Sequence, residues 1–188
     1  MAAYSSHRHL QRPIKQKDMQ IGQNTVVSVT YVLHSSQEGS EKNKVEETGN
    51  DNPLIFLYGS GQLIPAFEDN LAGLSVGNKF EFTIEAENGY GMTEADALVN
   101  VPDDMFKVDG VLDLEVLRIG NMVPLLDREG NQMVAKIVEF KDGNVLLDFN
   151  HPLASQDLHF SGQVVEVREA SPEEIEHGHA HTPGMHEH

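Results

Sequence analysis

The densest set of potential ligands lies near the end of the chain. His177-Gly178-His179-Ala180-His181 places three imidazoles at alternate positions, and His186 and His188 follow. On a flexible segment such imidazoles can wrap one cation. Neutral imidazole suits nickel, zinc and copper, and without thiolates the affinity order puts Cu(II) and Ni(II) ahead of Zn(II). The plain alternative is a polar tail that takes metal only as a purification tag would. His7 and His9 belong to a polar leader, whereas His34, His151 and His159 are expected to be structural or exposed. Cysteine is absent, which excludes a thiolate nucleophile or a disulfide framework and fits a cytoplasmic location. Tryptophan is also absent and aromatics make up 6%, so any aromatic pocket must rest on a few Phe and Tyr.

The formal net charge is −17, with 13 Lys and Arg against 30 Asp and Glu. Nucleic-acid binding draws on cations to release phosphate counterions, so a DNA or RNA partner is not expected. An acidic surface keeps a protein soluble and discourages non-specific association, and we expect a monomer. No run approaches the roughly 18 apolar residues of a membrane helix, so no membrane partner is expected. The opening residues lack the apolar core of a secretory signal.

The elements that must position any site are legible in outline. Residues 1–18 read as a disordered leader. In Thr25 to Leu33, Val27, Val29 and Tyr31 alternate with Ser28 and Thr30, as in a half-buried strand. Residues 35–52 are polar and read as a loop or ragged edge strand. Pro65 to Leu71 carries proline at its first turn and Gly73 past its end, with Phe67, Leu71 and Leu74 on one face: a short helix. Lys79 to Glu85 turns Phe80, Phe82 and Ile84 inward and Glu81, Thr83 and Glu85 outward, which implies an antiparallel sheet with one wet face. From about Thr93 the texture changes. Pro102 to Phe106 suggests one helical turn, and turn signals separate strand candidates at Met122 to Leu126, Met133 to Phe140 and Val145 to Phe149. Phe160 to Val167 reads as a last strand, and from Ser171 the chain reads as a flexible acidic, His-rich tail. The fold class is mostly β. The segment 93–149 lies between strands of one sheet (19–92 and 150–170), so it resembles an insertion.

Several motifs carry a resemblance. Tyr58-Gly59-Ser60-Gly61-Gln62-Leu63-Ile64-Pro65-Ala66-Phe67-Glu68, then Leu74-Ser75-Val76-Gly77-Asn78-Lys79-Phe80, resembles the core signature of FKBP-type prolyl isomerases. Glu87-Asn88-Gly89-Tyr90-Gly91 resembles the family's Ala-Tyr-Gly turn. Val101 to Phe106 and Asn150-His151-Pro152-Leu153-Ala154 resemble the two ends of the insert-in-flap domain of the SlyD branch. The resemblance implies a twisted antiparallel half-barrel sheet wrapped on one short helix. A hydrophobic pocket between them would be lined by Tyr31, Val45, Glu46, Leu54, Leu63, Ile64, Phe67, Tyr90 and Phe160. It also implies nickel as the favoured ion for the histidines, and unfolded polypeptides and Xaa-Pro peptides as partners. The chain departs from the family at Val45 (usually aromatic or Leu), Glu46 (usually Asp) and Ala66 (usually Gly). Gly162 stands where the branch tends to have a β-branched residue, which would loosen the last strand.

Such a pocket could act without nucleophile, metal or general base. Rotation about a peptide bond costs about 18–20 kcal/mol because resonance is lost, and Xaa-Pro exchange takes tens to hundreds of seconds. A dry site disfavours the planar, polar amide more than the twisted one. On this reading Leu63, Ile64, Phe67 and Phe160 hold the proline ring, Tyr90 donates to a substrate carbonyl, and Tyr31 orients the acidic residue. In the insert, Met105, Phe106, Val111, Leu112, Leu114, Met122, Val123, Leu125, Leu126 and Met133 look exposed and suit a chain-binding surface. Two alternatives stay open: a holdase without isomerase activity, and a nickel-binding metallochaperone.

Overall fold

The structure, a computed structural model, describes residues 19–37, 40–127 and 129–181. The leader 1–18 and the ligand candidates His186 and His188 lie outside the described residues. The chain divides into two compact units. One runs to Ile84 and resumes at Leu158; the other is Glu85–Asp157. No described helix is long and apolar enough to cross a membrane.

The first unit is built on β1 (Thr25–Ser36), β2 (Asn43–Glu47), β3 (Leu54–Leu57), β4 (Lys79–Ile84) and β11 (Asp157–Glu169, entered from the second unit), with helices α1 (Pro65–Leu71) and α2 (Pro172–His177). The sheet order is β2-β1-β11-β4, and β3 pairs β1. β1 is buried on both faces over Thr25 to Val29, which its Ser28 does not announce. In β4 Phe80 and Ile84 are buried and Glu81, Thr83 and Glu85 exposed, following the period-two rule, while Phe82 is half-buried. Helix α1 has Pro65 in its first turn and buries Phe67 and Leu71. Gly73 follows at φ 76°, a left-handed turn that lets its N–H bond Ile21.

Gly162 proves to be a requirement of the fold. A Cβ built there would lie 2.1 Å from the Thr30 carbonyl oxygen and 2.7 Å from the Phe80 ring. Gly162 pairs with Phe80 across β11 and β4. The phenyl ring therefore covers the space a branched side chain would fill, and the strand is not loosened.

The flexible tail expected from Ser171 starts instead as a capped helix. Ser171 Oγ accepts the Glu174 N–H, and the Glu174 carboxylate accepts the Ser171 N–H, a reciprocal capping box. Gly178 closes α2 at φ 71°.

The second unit holds β5 (Leu98–Pro102), β6 (Lys107–Val108), β7 (Val111–Leu112), β8 (Met122–Leu126), β9 (Gln132–Lys141) and β10 (Asn144–Asp148), with the sheet order β5-β10-β9-β8 and a separate β6-β7 pair. Phe106, Leu117, Val123, Ala135, Ile137, Val145 and Leu147 form its core. Phe106 and Val123 are thus interior, not exposed as the sequence suggests. The unit is wider than 93–149 because its entry and exit are tied together. Asn150 accepts the Glu94 N–H and donates to the Glu94 carbonyl, Ser155 holds Thr93, and Asp157 accepts the Ala86 N–H.

Candidate functional site

An aromatic cluster occupies one face of the first unit's sheet against α1. Phe67 packs edge-on to Phe160, ring centroids 4.8 Å apart, and to Tyr31 at 6.1 Å. Tyr31 meets Phe160 at 5.5 Å. These contacts follow from strand register: β11 pairs Phe160 with Phe82, and β3 pairs Leu54 with Val29 and Phe56 with Val27. Odd-numbered residues of β1 therefore share their face with Leu54, Phe56, Phe82 and Phe160. Edge-to-face aromatic pairs add about 0.5–1.5 kcal/mol each beyond burial, so the cluster is a rigid apolar surface.

Eight of the nine expected pocket residues lie in this unit, and Tyr90 lies in the other. Tyr31, Phe67 and Phe160 are buried; Leu54, Leu63 and Ile64 are half-buried. The Tyr31 hydroxyl donates to Glu46 Oε1. Glu46 pairs with Leu33 in the β1–β2 ladder, which puts it on the Tyr31 face. Val45 does not join them. It falls at a bulge in the β1–β2 ladder, where Leu33 pairs with Glu46 and His34 with Lys44, so it is left without a cross-strand partner and is 41% exposed. Tyr90 belongs to the second unit. There it is 40% exposed and stacks on His151, centroids 3.7 Å apart and planes 5° from parallel. His151 Nδ1 accepts the Leu153 N–H, and burial pushes its pKa down. His159 lies on the outer face, bonded to Ser36 and Thr83, a structural role.

Sequence reasoning missed Phe82, which sits 5.8 Å from Phe67 and 5.5 Å from Phe160. The alternation of Phe80, Phe82 and Ile84 was the available signal. It also missed Glu68, a helix carboxylate that is 7% exposed and accepts the Gly59 N–H at 2.7 Å.

At the end of α2, one imidazole nitrogen from each of His177, His179 and His181 lies within 4.8 Å of the others. The triad is anchored through Glu174, whose Oε1 accepts the His181 N–H at 2.7 Å. Arg168 grips the same carboxylate with two bonds of 2.8 and 2.7 Å. This holds the Glu174 carboxyl far below the ordinary glutamate range.

Comparison with known proteins agrees with this geometry. A sequence profile described as FKBP-type peptidyl-prolyl cis-trans isomerase matches residues 17–108. The chain is 39% identical over 163 residues to the FKBP-type peptidyl-prolyl cis-trans isomerase SlyD of Haemophilus influenzae, covering 87% of this chain and 80% of that protein. It is 39% identical over 166 residues to the SlyD of Vibrio cholerae, at 88% and 78% coverage. With the SlyD of Escherichia coli it shares 35% over 163 residues, at 87% and 78%.

Proposed function

We propose how this chain works from one premise: it belongs to the FKBP-type peptidyl-prolyl cis-trans isomerases of the SlyD kind. It is a peptidyl-prolyl isomerase and folding chaperone acting on proline-containing polypeptides. The observation that carries the site assignment is the Tyr31–Phe67–Phe160 cluster with Glu46 bonded to the Tyr31 hydroxyl.

The proline ring sits on Phe67 and Phe160, flanked by Leu63, Ile64 and Leu54. An apolar floor does not solvate the charge separation of the planar amide, which the twisted amide has largely lost. The site is thereby more complementary to the transition state than to the ground state, and that difference is what accelerates. The Tyr31–Glu46 bond fixes the phenol edge of the floor. No step requires a metal.

The second unit takes unfolded chain. In its sheet Met122, Pro124 and Leu126 of β8 and Val134 of β9 alternate to the face opposite Val123, Ala135 and Ile137. Met122, Leu126 and Val134 are 48%, 66% and 54% exposed, leaving an apolar surface with adaptable side chains. His177, His179 and His181 would hold a nickel, copper or zinc ion: three imidazoles already converge, a donor set those ions favour. Calorimetric nickel titration with and without His179→Ala tests this; equal binding would contradict it.

A protease-coupled assay on a short Xaa-Pro peptide tests the isomerase site. Phe160→Leu keeps an apolar side chain but removes the ring, and its kcat/KM is expected to fall about tenfold. A folded Phe160→Leu protein turning over at the parent rate would sink the assignment.

A further inference from the structure

Glu68 is a buried titratable group that the chemistry above leaves unused. It projects from α1 next to Phe67 and is 7% exposed. Its Oε2 accepts the Gly59 N–H at 2.7 Å, while its Oε1 is sealed from solvent with no hydrogen-bond partner. Ser60 Oγ, one residue beyond Gly59, is likewise sealed and unpartnered. Burying a carboxylate oxygen without a partner is costly, and a native fold that keeps one calls for a reason. A core residue retained for packing alone would be better served by an apolar side chain of the same size.

The reason lies in what Gly59 begins. Strand β3 is fixed to β1 as far as the Tyr58 N–H bond to the Thr25 carbonyl, at 2.9 Å. Helix α1 is fixed at its start by the Phe67 N–H bond to the Ile64 carbonyl, also 2.9 Å. Between these anchors runs the loop 59–63, which delivers Leu63 and Ile64 to the pocket. Among the described residues, the Glu68 contact is the one side-chain hydrogen bond to the backbone of that loop. Gly59 sits at φ 80°, and a Cβ there would come 2.9 Å from the Gln23 amide. Gly59 thus turns in a left-handed conformation that a side chain would not readily adopt, with its N–H bonded to the helix carboxylate.

We infer that Glu68 is a positioning residue for the isomerase pocket, reaching from α1 to the Gly59 amide and thereby setting the loop that presents Leu63 and Ile64. This rests on the pocket assignment above. Reach and an acceptor oxygen matter; charge does not.

Two variants separate these properties. Glu68→Gln keeps the length and an acceptor oxygen, and Glu68→Asp keeps the charge but withdraws the acceptor by one methylene. Each is compared with the parent by kcat/KM on a short Xaa-Pro peptide, by melting temperature, and by hydrogen exchange of the Gly59 amide. Glu68→Asp is expected to lose about tenfold in kcat/KM while staying folded, with faster Gly59 exchange. Glu68→Gln should stay within about threefold of the parent and keep Gly59 protected. The proposal is overturned by Glu68→Asp at parental activity, by Glu68→Gln falling as far as Glu68→Asp, or by unchanged Gly59 exchange in Glu68→Asp. A Glu68→Asp protein that does not fold would make the role structural and also overturn it. A parent without turnover would defeat the pocket assignment instead, and Gly59 exchange would still report whether Glu68 holds the loop.

Discussion

The two units treat their apolar residues in opposite ways. In the first, Tyr31, Phe56, Phe67, Phe80 and Phe160 are buried, and Leu54, Leu63, Ile64 and Phe82 are half-buried. In the second, the core is small and mostly aliphatic: among the described residues Phe106 is its one buried aromatic, and half-buried Phe149 packs against it. Of seventeen exposed large hydrophobic residues among those described, fourteen lie within Glu85–Asp157 and three (Val45, Val165, Ile175) elsewhere. A rigid aromatic surface can discriminate a twisted from a planar amide, because it does not adapt to both. An exposed face of Met, Leu and Val can accept many sequences, because it does. The chain thus separates the work that needs one shape from the work that needs none.

The largest effect that would break this contrast is at Phe67. Truncating it to Ala removes the ring on which four other aromatics pack, Tyr31, Phe56, Phe82 and Phe160. It is expected to cost about 3–5 kcal/mol of stability and nearly all isomerase activity, read by urea unfolding and the peptide assay. Retained activity would mean that the aromatic surface is not the site. Gly162→Val comes next. Its side chain would collide with Thr30 and Phe80, and a loss of roughly 1–3 kcal/mol is expected. A variant as stable as the parent would show that Phe80 yields the space readily.

Glu174→Gln probes the end of the first unit at a similar scale, about 2 kcal/mol, through its paired bonds to Arg168. Because the folded protein holds this carboxyl below its unfolded value, its contribution is present above the ordinary glutamate range and lost as pH falls through and below it. The parent and Glu174→Gln should therefore differ most in melting temperature at pH 7, and the gap should narrow as pH falls below the ordinary glutamate range toward pH 3. A gap that persists undiminished at low pH would contradict that.

The legible parts of this fold are those set by local pattern. The alternation in β4, the proline-started helix around Phe67, and the turn-separated strands of the second unit all follow from residue type and spacing. What stayed hidden depends on contacts between distant residues. Gly162 looks like a weakness in its strand until Phe80 is seen lying over it. Val45 and Glu46 are neighbours in sequence, yet the ladder pairs Glu46 with Leu33 and skips Val45 at a bulge. Glu68 reads as an ordinary surface acid of an amphipathic helix, and only burial against Gly59 marks it out. Helix α2 had a local signal in Ser171, Pro172 and Glu174, which the acidic and His-rich composition around it masked. Tyr90 matched its motif, but its motif could not reveal that it would be counted with the second unit.

The smallest expected effect on stability gives the sharpest test of the division itself. Replacing Met122, Leu126 and Val134 together by Ser changes side chains that are already exposed, so stability should move by only about 0.5 kcal/mol per site. The decisive measurement compares this triple variant with the parent on two substrates: a short Xaa-Pro peptide and a protein whose refolding is limited by proline isomerisation. The account predicts parental activity on the peptide and a large loss of acceleration on the protein. Equal losses on both, or no loss on the protein, would contradict it.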